Sequence, residues 1–143
     1  MNQTATPTAQ DWRARATALV INGQAFIDGR YVDAASGETF DDVTPIDGRV
    51  IARVASTDKA DVERAVAAAR RAFDSGVWSR QPPRERKRVL QCFAELILAH
   101  RDELALLETL DMGKPISDSL AVDIPATARC IAWYAEAVDK VYD

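Results

Sequence analysis

The residues that most often carry chemistry are scarce here. One histidine (His100) and two cysteines (Cys92 and Cys130) are the only imidazole and thiol side chains in 143 residues, too few for a closed four-ligand zinc site of the Cys/His kind. Two distant cysteines, with no charged-then-apolar export segment before them, do not make a disulfide framework, and a reducing, cytoplasmic setting is expected. Cys92 beside Phe93 and Cys130 beside Ile131 are expected as buried small hydrophobes, because a reactive thiolate needs an electropositive, partly exposed setting. The six glycines stand at 23, 29, 37, 48, 76 and 113. That spacing excludes both G-x-G-x-x-G and the Walker A loop, and no G-x-S-x-G elbow occurs.

Charged residues offer more. Lys and Arg number 18 against 22 Asp and Glu, a formal charge of −4, which argues against a nucleic-acid binder. The run Arg84, Arg86, Lys87, Arg88 is expected to be a solvated helix face. No apolar stretch approaches the roughly 20 residues that span a bilayer. Asp111 closes a helix at the end where the macrodipole disfavours an anion, and Lys114 is expected to compensate it. Asp123 is expected to cap the last helix, with Pro125 harmless in its first turn.

The elements that must hold these residues can be read from periodicity. Residues 1–10 are expected to be a free polar terminus, followed by a short helix from Asp11 in which Trp12, Ala16, Leu19 and Val20 share helical spacing. Asp28-Gly29 between Phe26-Ile27 and Tyr31-Val32 signals a type I′ hairpin. Further strand-like pieces run from Thr39 to Val43 and from Val50 to Val54 around Asp47-Gly48, and an antiparallel β-meander of three short strands is predicted. Three amphipathic helices follow. The first, over about 58–74, carries Val62, Ala65, Val66, Ala69 and Phe73 on one face. The second opens at Pro82-Pro83, bends near His100-Arg101-Asp102 and stops at Gly113-Lys114-Pro115. The third, over about 123–142, carries Ile124, Ala128, Ile131, Ala135 and Val138. Trp133 and Tyr134 are expected to pack. Three short strands cannot cover three apolar stripes, so the helices either bundle with one another or lie against a sheet absent from the chain. This is an α+β chain.

The order of these pieces resembles the N-terminal part of the NAD(P)-dependent aldehyde dehydrogenase superfamily. The resemblance rests on Phe26 to Asp33, the Val43-x-Pro45-x-x-Gly48 turn, Val50 to Ala55, and the helix from Asp61 to Phe73. It also rests on Trp78, Arg84 to Leu90, and Leu104 to Pro115. Asp123-Ile124-Pro125 and the segment from Ala128 to Tyr142 are most similar to the ω-aminoaldehyde branch of polyamine and putrescine breakdown. The resemblance implies an α/β enzyme that oxidises an aldehyde to the acid through a cysteine thioester, with NAD or NADP as hydride acceptor. Residues 1–23 would be an N-terminal extension and 24–143 the first part of the coenzyme-binding domain. Family members are much longer, and their catalytic cysteine, general base and nucleotide-binding turn lie beyond Asp143. No catalytic or cofactor-binding residue is therefore assigned in this chain, and the isolated segment is expected to be inactive. A homo-oligomer is implied for the full-length enzyme, with a small aldehyde as substrate and neither nucleic acid nor membrane as partner.

Two further roles follow from the resemblance alone. Asp111 and main-chain oxygen from Asp42-Val43 would help hold a monovalent cation, sodium or potassium, since hard cations prefer oxygen ligands. Asp123 would lie at the mouth of the substrate tunnel and draw in a cationic amine. The amine preference is weakened where related enzymes carry a second acid and this chain has Ala126. A different class of reading is also open: a self-contained helical interaction module whose stripes bury one another or bind a partner helix.

Overall fold

The structure is a computed structural model in which residues 7–140 are described. Most of the free terminus expected over 1–10, and the final residues of the last predicted helix, lie outside that range. Helix α1 (Ala9–Ala18) begins earlier than the apolar spacing suggests, because Thr8 and Asp11 form a reciprocal capping box.

Four strands form two separate antiparallel ribbons instead of one meander. In the first, β1 (Ala25–Ile27) pairs with β2 (Arg30–Val32), with Phe26 opposite Tyr31. The turn is of the expected kind: Asp28 and Gly29 both have positive φ, 56° and 77°. The two rings meet edge to face at 5.2 Å across the strands. In the second ribbon, β3 (Thr39–Val43) pairs with β4 (Val50–Ala55), and a bulge falls between Asp42 and Val43. The chain around Gly23 runs along β4, its carbonyl accepting from the Ala55 N–H at 2.8 Å. A side chain there has no room, since a Cβ would stand 1.9 Å from the Arg53 carbonyl oxygen.

Helix α2 (Lys59–Ser75) is capped by Asp58 and ends at Gly76 in the left-handed region. Asp61, in its first turn, is 1% exposed and acts as a bolt. It accepts from the Ala35 N–H at 3.1 Å and the Asp58 N–H at 3.2 Å, and it pairs with Arg64. Arg64 holds its carboxyl below the ordinary value, with the two backbone donors helping and burial opposing.

Helices α3 (Pro83–Ala99) and α4 (Arg101–Met112) meet at His100, the predicted bend. Next come a short helical turn α5 (Ile116–Asp118), a π-helical turn (Ser119–Asp123), and α6 (Ile124–Ala137). The expected cap at Asp123 is not formed. Asp123 has helical angles, φ −69° and ψ −53°, and its side chain makes no capping bond. Pro125 explains the difference. Lacking an N–H, and with a ring that crowds the carbonyl one turn back, it is relieved by widening the helix before it. The Ile124 N–H accordingly reaches the Ser119 carbonyl five residues earlier.

The core is small and made largely of alanine: Ala94 and Ile97 on α3, Ala105, Leu106 and Leu110 on α4, Ala128 and Ala135 on α6. Helices α3 and α6 run antiparallel, clasped where Lys87 meets Glu136 at 2.7 Å and Asp139 at 3.4 Å. The predicted stripe of α6 is thus covered by α3. The stripe of α2 is bare: Val62, Val66 and Phe73 are 56, 62 and 60% exposed. That of α3 is half covered, with Ile97 buried but Val89, Phe93 and Leu96 open.

Two expectations about single residues fail for a shared geometric reason. Both cysteines are exposed. Each lies two residues from a buried alanine, Ala94 or Ala128, and two helical steps of about 100° turn a side chain to the far face. Trp133 and Tyr134 likewise lie outside the core, 66 and 61% exposed, stacked edge to face on each other at 5.0 Å.

Candidate functional site

The candidate site forms where the second ribbon meets the end of α4. A register shift follows Asp42, Val43 pairs with Val50 beyond it, and the chain then turns through Thr44, whose N–H bonds the Arg49 carbonyl at 3.0 Å. Pro45 then rests against Gly113, the left-handed C-cap of α4 at φ 74°. A Cβ on residue 113 would lie 2.9 Å from the Pro45 ring, so only glycine lets turn and helix approach this closely. The approach brings Asp42 against Asp111, the helix-end acid.

Both carboxyl groups line the same cleft. Burial first, then the Asp111 charge and hydrogen bond, push the Asp42 pKa above its ordinary value. Lys114 does not compensate Asp111 as expected, because it is drawn instead to Asp123. A cleft of about 330 Å³ opens at this point, lined by Ile21, Asp42, Ile51, Leu107, Glu108 and Asp111. One Glu108 oxygen is closed off from solvent and has no hydrogen-bond partner among the described residues. Oxygen donors in excess of local positive charge suit a hard cation of low charge. Among the described residues no three His, Cys, Asp or Glu side chains converge on one point, so any cation here would also need main-chain oxygen. Val43 follows the register shift and is itself paired with Val50.

The second predicted site residue lies apart from this cleft. Asp123 ends the π-helical turn, 27% exposed, with its carboxylate ion-paired to Lys114. Asp123 raises the Lys114 pKa, with Glu108 and Asp118 adding to the effect and burial opposing it. Sequence reasoning missed this pair: only the proline-induced widening of the helix turns Asp123 toward the loop after α4.

The remaining candidates are structural. His100 joins α3 to α4 with an exposed side chain beside Glu103. In the basic run, Arg84 and Arg88 are solvated as expected, whereas Lys87 is 23% exposed and clasps α6. No helix among the described residues is long and apolar enough to cross a membrane.

Two small ribbons, a capped helix leading away from them and a helical cluster ending in a left-handed glycine and proline define a family. The aldehyde dehydrogenase family model matches residues 31–143, and the chain belongs to the aldehyde dehydrogenase family. It is 50% identical over 131 residues to the NADP/NAD-dependent aldehyde dehydrogenase PuuC of Escherichia coli, covering 92% of this chain and 26% of PuuC. Among solved structures, it matches the P. syringae indole-3-acetaldehyde dehydrogenase AldA, in complex with NAD+ and IAA, at 60% identity and a TM-score of 0.95. That match covers 96% of this chain and 28% of AldA. The γ-glutamyl-γ-aminobutyraldehyde dehydrogenase of Burkholderia cenocepacia matches at 59% identity and a TM-score of 0.91, over 92% of this chain and 27% of that one. The chain thus spans about a quarter of the length of the relatives it matches.

Among the described residues there is no cradle for the dinucleotide that the family uses. The glycines of positive φ serve hairpins, turns and helix C-caps, and none leads a strand into a helix N-terminus.

Proposed function

We propose that this chain is the N-terminal portion of an NAD(P)-dependent aldehyde dehydrogenase that oxidises an ω-amino or γ-glutamylamino aldehyde to the acid through a cysteine thioester. Residues 1–23 form its extension and 24–143 the first part of its coenzyme-binding domain. The observation that carries this reading is the bare stripe of α2. A helix of 17 residues with a continuous apolar face is left open, which is costly unless something else covers it. The full-length enzyme is cytoplasmic and homo-oligomeric, and the catalytic groups lie outside residues 1–143. The test is aldehyde-dependent NAD(P)H formation by the full-length protein and by residues 1–143 alone. Turnover by the former only is expected, and turnover by the short chain overturns the reading.

Within that enzyme, Asp42, Val43 and Asp111 help hold sodium or potassium, Asp111 through its carboxylate and Asp42-Val43 through main-chain oxygen, with one further carbonyl from later sequence. The shared cleft of Asp42 and Asp111 supports this, because a cation beside two carboxylates offsets their repulsion. Asp123 receives the substrate amine at the tunnel mouth. Asp123→Ala should then raise KM for an ω-aminoaldehyde about fivefold more than for a neutral aldehyde of equal length, the worth of one exposed ion pair.

A second reading has its own support. Asp123 is already answered by Lys114, and AldA, named for an aldehyde without an amine, is 60% identical. On that reading the substrate is a neutral aryl aldehyde, and Asp123→Ala shifts KM equally for both substrates.

A further inference from the structure

Away from the acid pair, the first ribbon and α2 enclose a cleft of about 280 Å³. Its rim is cationic. Arg64 and Arg71 stand seven residues apart on one face of α2, and Arg30 projects from the first position of β2, directly after the hairpin turn. Its floor is apolar, formed by Ile27, Val32 and Ala67.

Two acids answer part of this charge. Asp28 bonds Arg71 at 3.0 Å, and the buried Asp61 takes Arg64. Each uses one terminal nitrogen of its arginine, and a guanidinium carries five donors. Arg30 has no ion-pair partner among the described residues. Three guanidinium groups against two carboxylates leave the rim one charge positive, with forked donors unspent over an apolar floor. Fixed forks of this kind bind planar carboxylates in bidentate fashion.

We propose that this cleft is a binding site for a small carboxylate carried on a short aliphatic stem, with Arg30 and Arg71 taking the carboxylate and Ile27, Val32 and Ala67 the stem. The site is independent of the aldehyde-oxidising reading, since none of these residues belongs to the acid-pair cleft or contacts Asp123. Phosphate would satisfy the arginines but would leave the apolar floor without a partner. The volume lies just below the usual range of ligand clefts, which suits an acid of a few carbons.

The test is calorimetric titration of the full-length protein with glutarate, and separately with inorganic phosphate. Glutarate is expected to bind in the millimolar range and more tightly than phosphate, and to weaken as salt is added. The double variant R30Q/R71Q should weaken glutarate at least about tenfold, the loss expected for charge-assisted bonds. The pair R30K/R71K preserves charge without the fork and should retain only part of the affinity; its folding is checked by circular dichroism alongside R30Q/R71Q. Absence of glutarate binding, binding unchanged in R30Q/R71Q, or phosphate binding as tightly as glutarate each overturns the proposal.

Discussion

Phe73 measures how much of the structure's apolar surface is meant for something outside residues 1–143. It closes the stripe of α2 and is 60% exposed. Truncating a buried phenylalanine to alanine costs about 3–5 kcal/mol, from lost transfer energy and the cavity left behind. With only two-fifths of its surface covered here, Phe73→Ala should cost residues 1–143 about 1–2 kcal/mol. In the full-length enzyme, where the proposed fold covers the stripe, the same change should cost the whole 3–5 kcal/mol. Urea unfolding of both proteins, with and without the substitution, gives the two values directly. A dye for exposed apolar surface adds a check, since it should bind the short chain strongly and bind its Phe73→Ala variant less. Equal and small costs in both proteins would refute the reasoning, for Phe73 would then be a surface residue in both.

Other predictions follow from single observations. Asp61 is held below its ordinary value of 3.8, so its contribution is complete above that pH and is lost as pH falls through the lower folded value; Asp61→Asn should flatten this acid limb of stability, read as urea midpoints from neutral pH downward. Asp42 is shifted the other way, above 3.8, so its folded form is favoured in acid and loses ground as pH rises through the raised value. Asp111→Asn should remove only the part of that penalty owed to the Asp111 charge, leaving the larger part owed to burial, and should abolish any gain in melting temperature from sodium or potassium over choline; an unchanged cation response would remove the cation assignment. Gly23→Ala should cost about 3 kcal/mol or prevent folding, because its Cβ would meet the Arg53 carbonyl at 1.9 Å. Asp58→Ala should cost about 1 kcal/mol through the lost cap of α2, measured by the same unfolding series.

Local rules made much of this fold legible. Asp28-Gly29 signals its hairpin turn, and His100 marks the break between α3 and α4. These features rest on neighbouring residues alone. The departures have two sources, distant segments and the geometry within a single helix. Separation of the ribbons depends on the chain at Gly23 lying along β4, which strand patterning does not encode. Asp123 reads as a cap, because Asp before an apolar stretch usually is one; the π-helical turn arises from the proline two residues later. Lys114 stands three residues from Asp111 and reads as its partner, yet that turn presents Asp123 to it instead. The cysteines and Trp133-Tyr134 read as core by residue type, while helical phase within this chain points them outward.

The most direct measurement is hydroxyl-radical footprinting of Phe73 in residues 1–143 and in the full-length protein, read by mass spectrometry. An interior face completed by later sequence predicts ready oxidation in the short chain and strong protection in the long one. Oxidation at the same rate in both would mean that nothing downstream covers α2, and the account of this chain as one part of a larger dehydrogenase would fail.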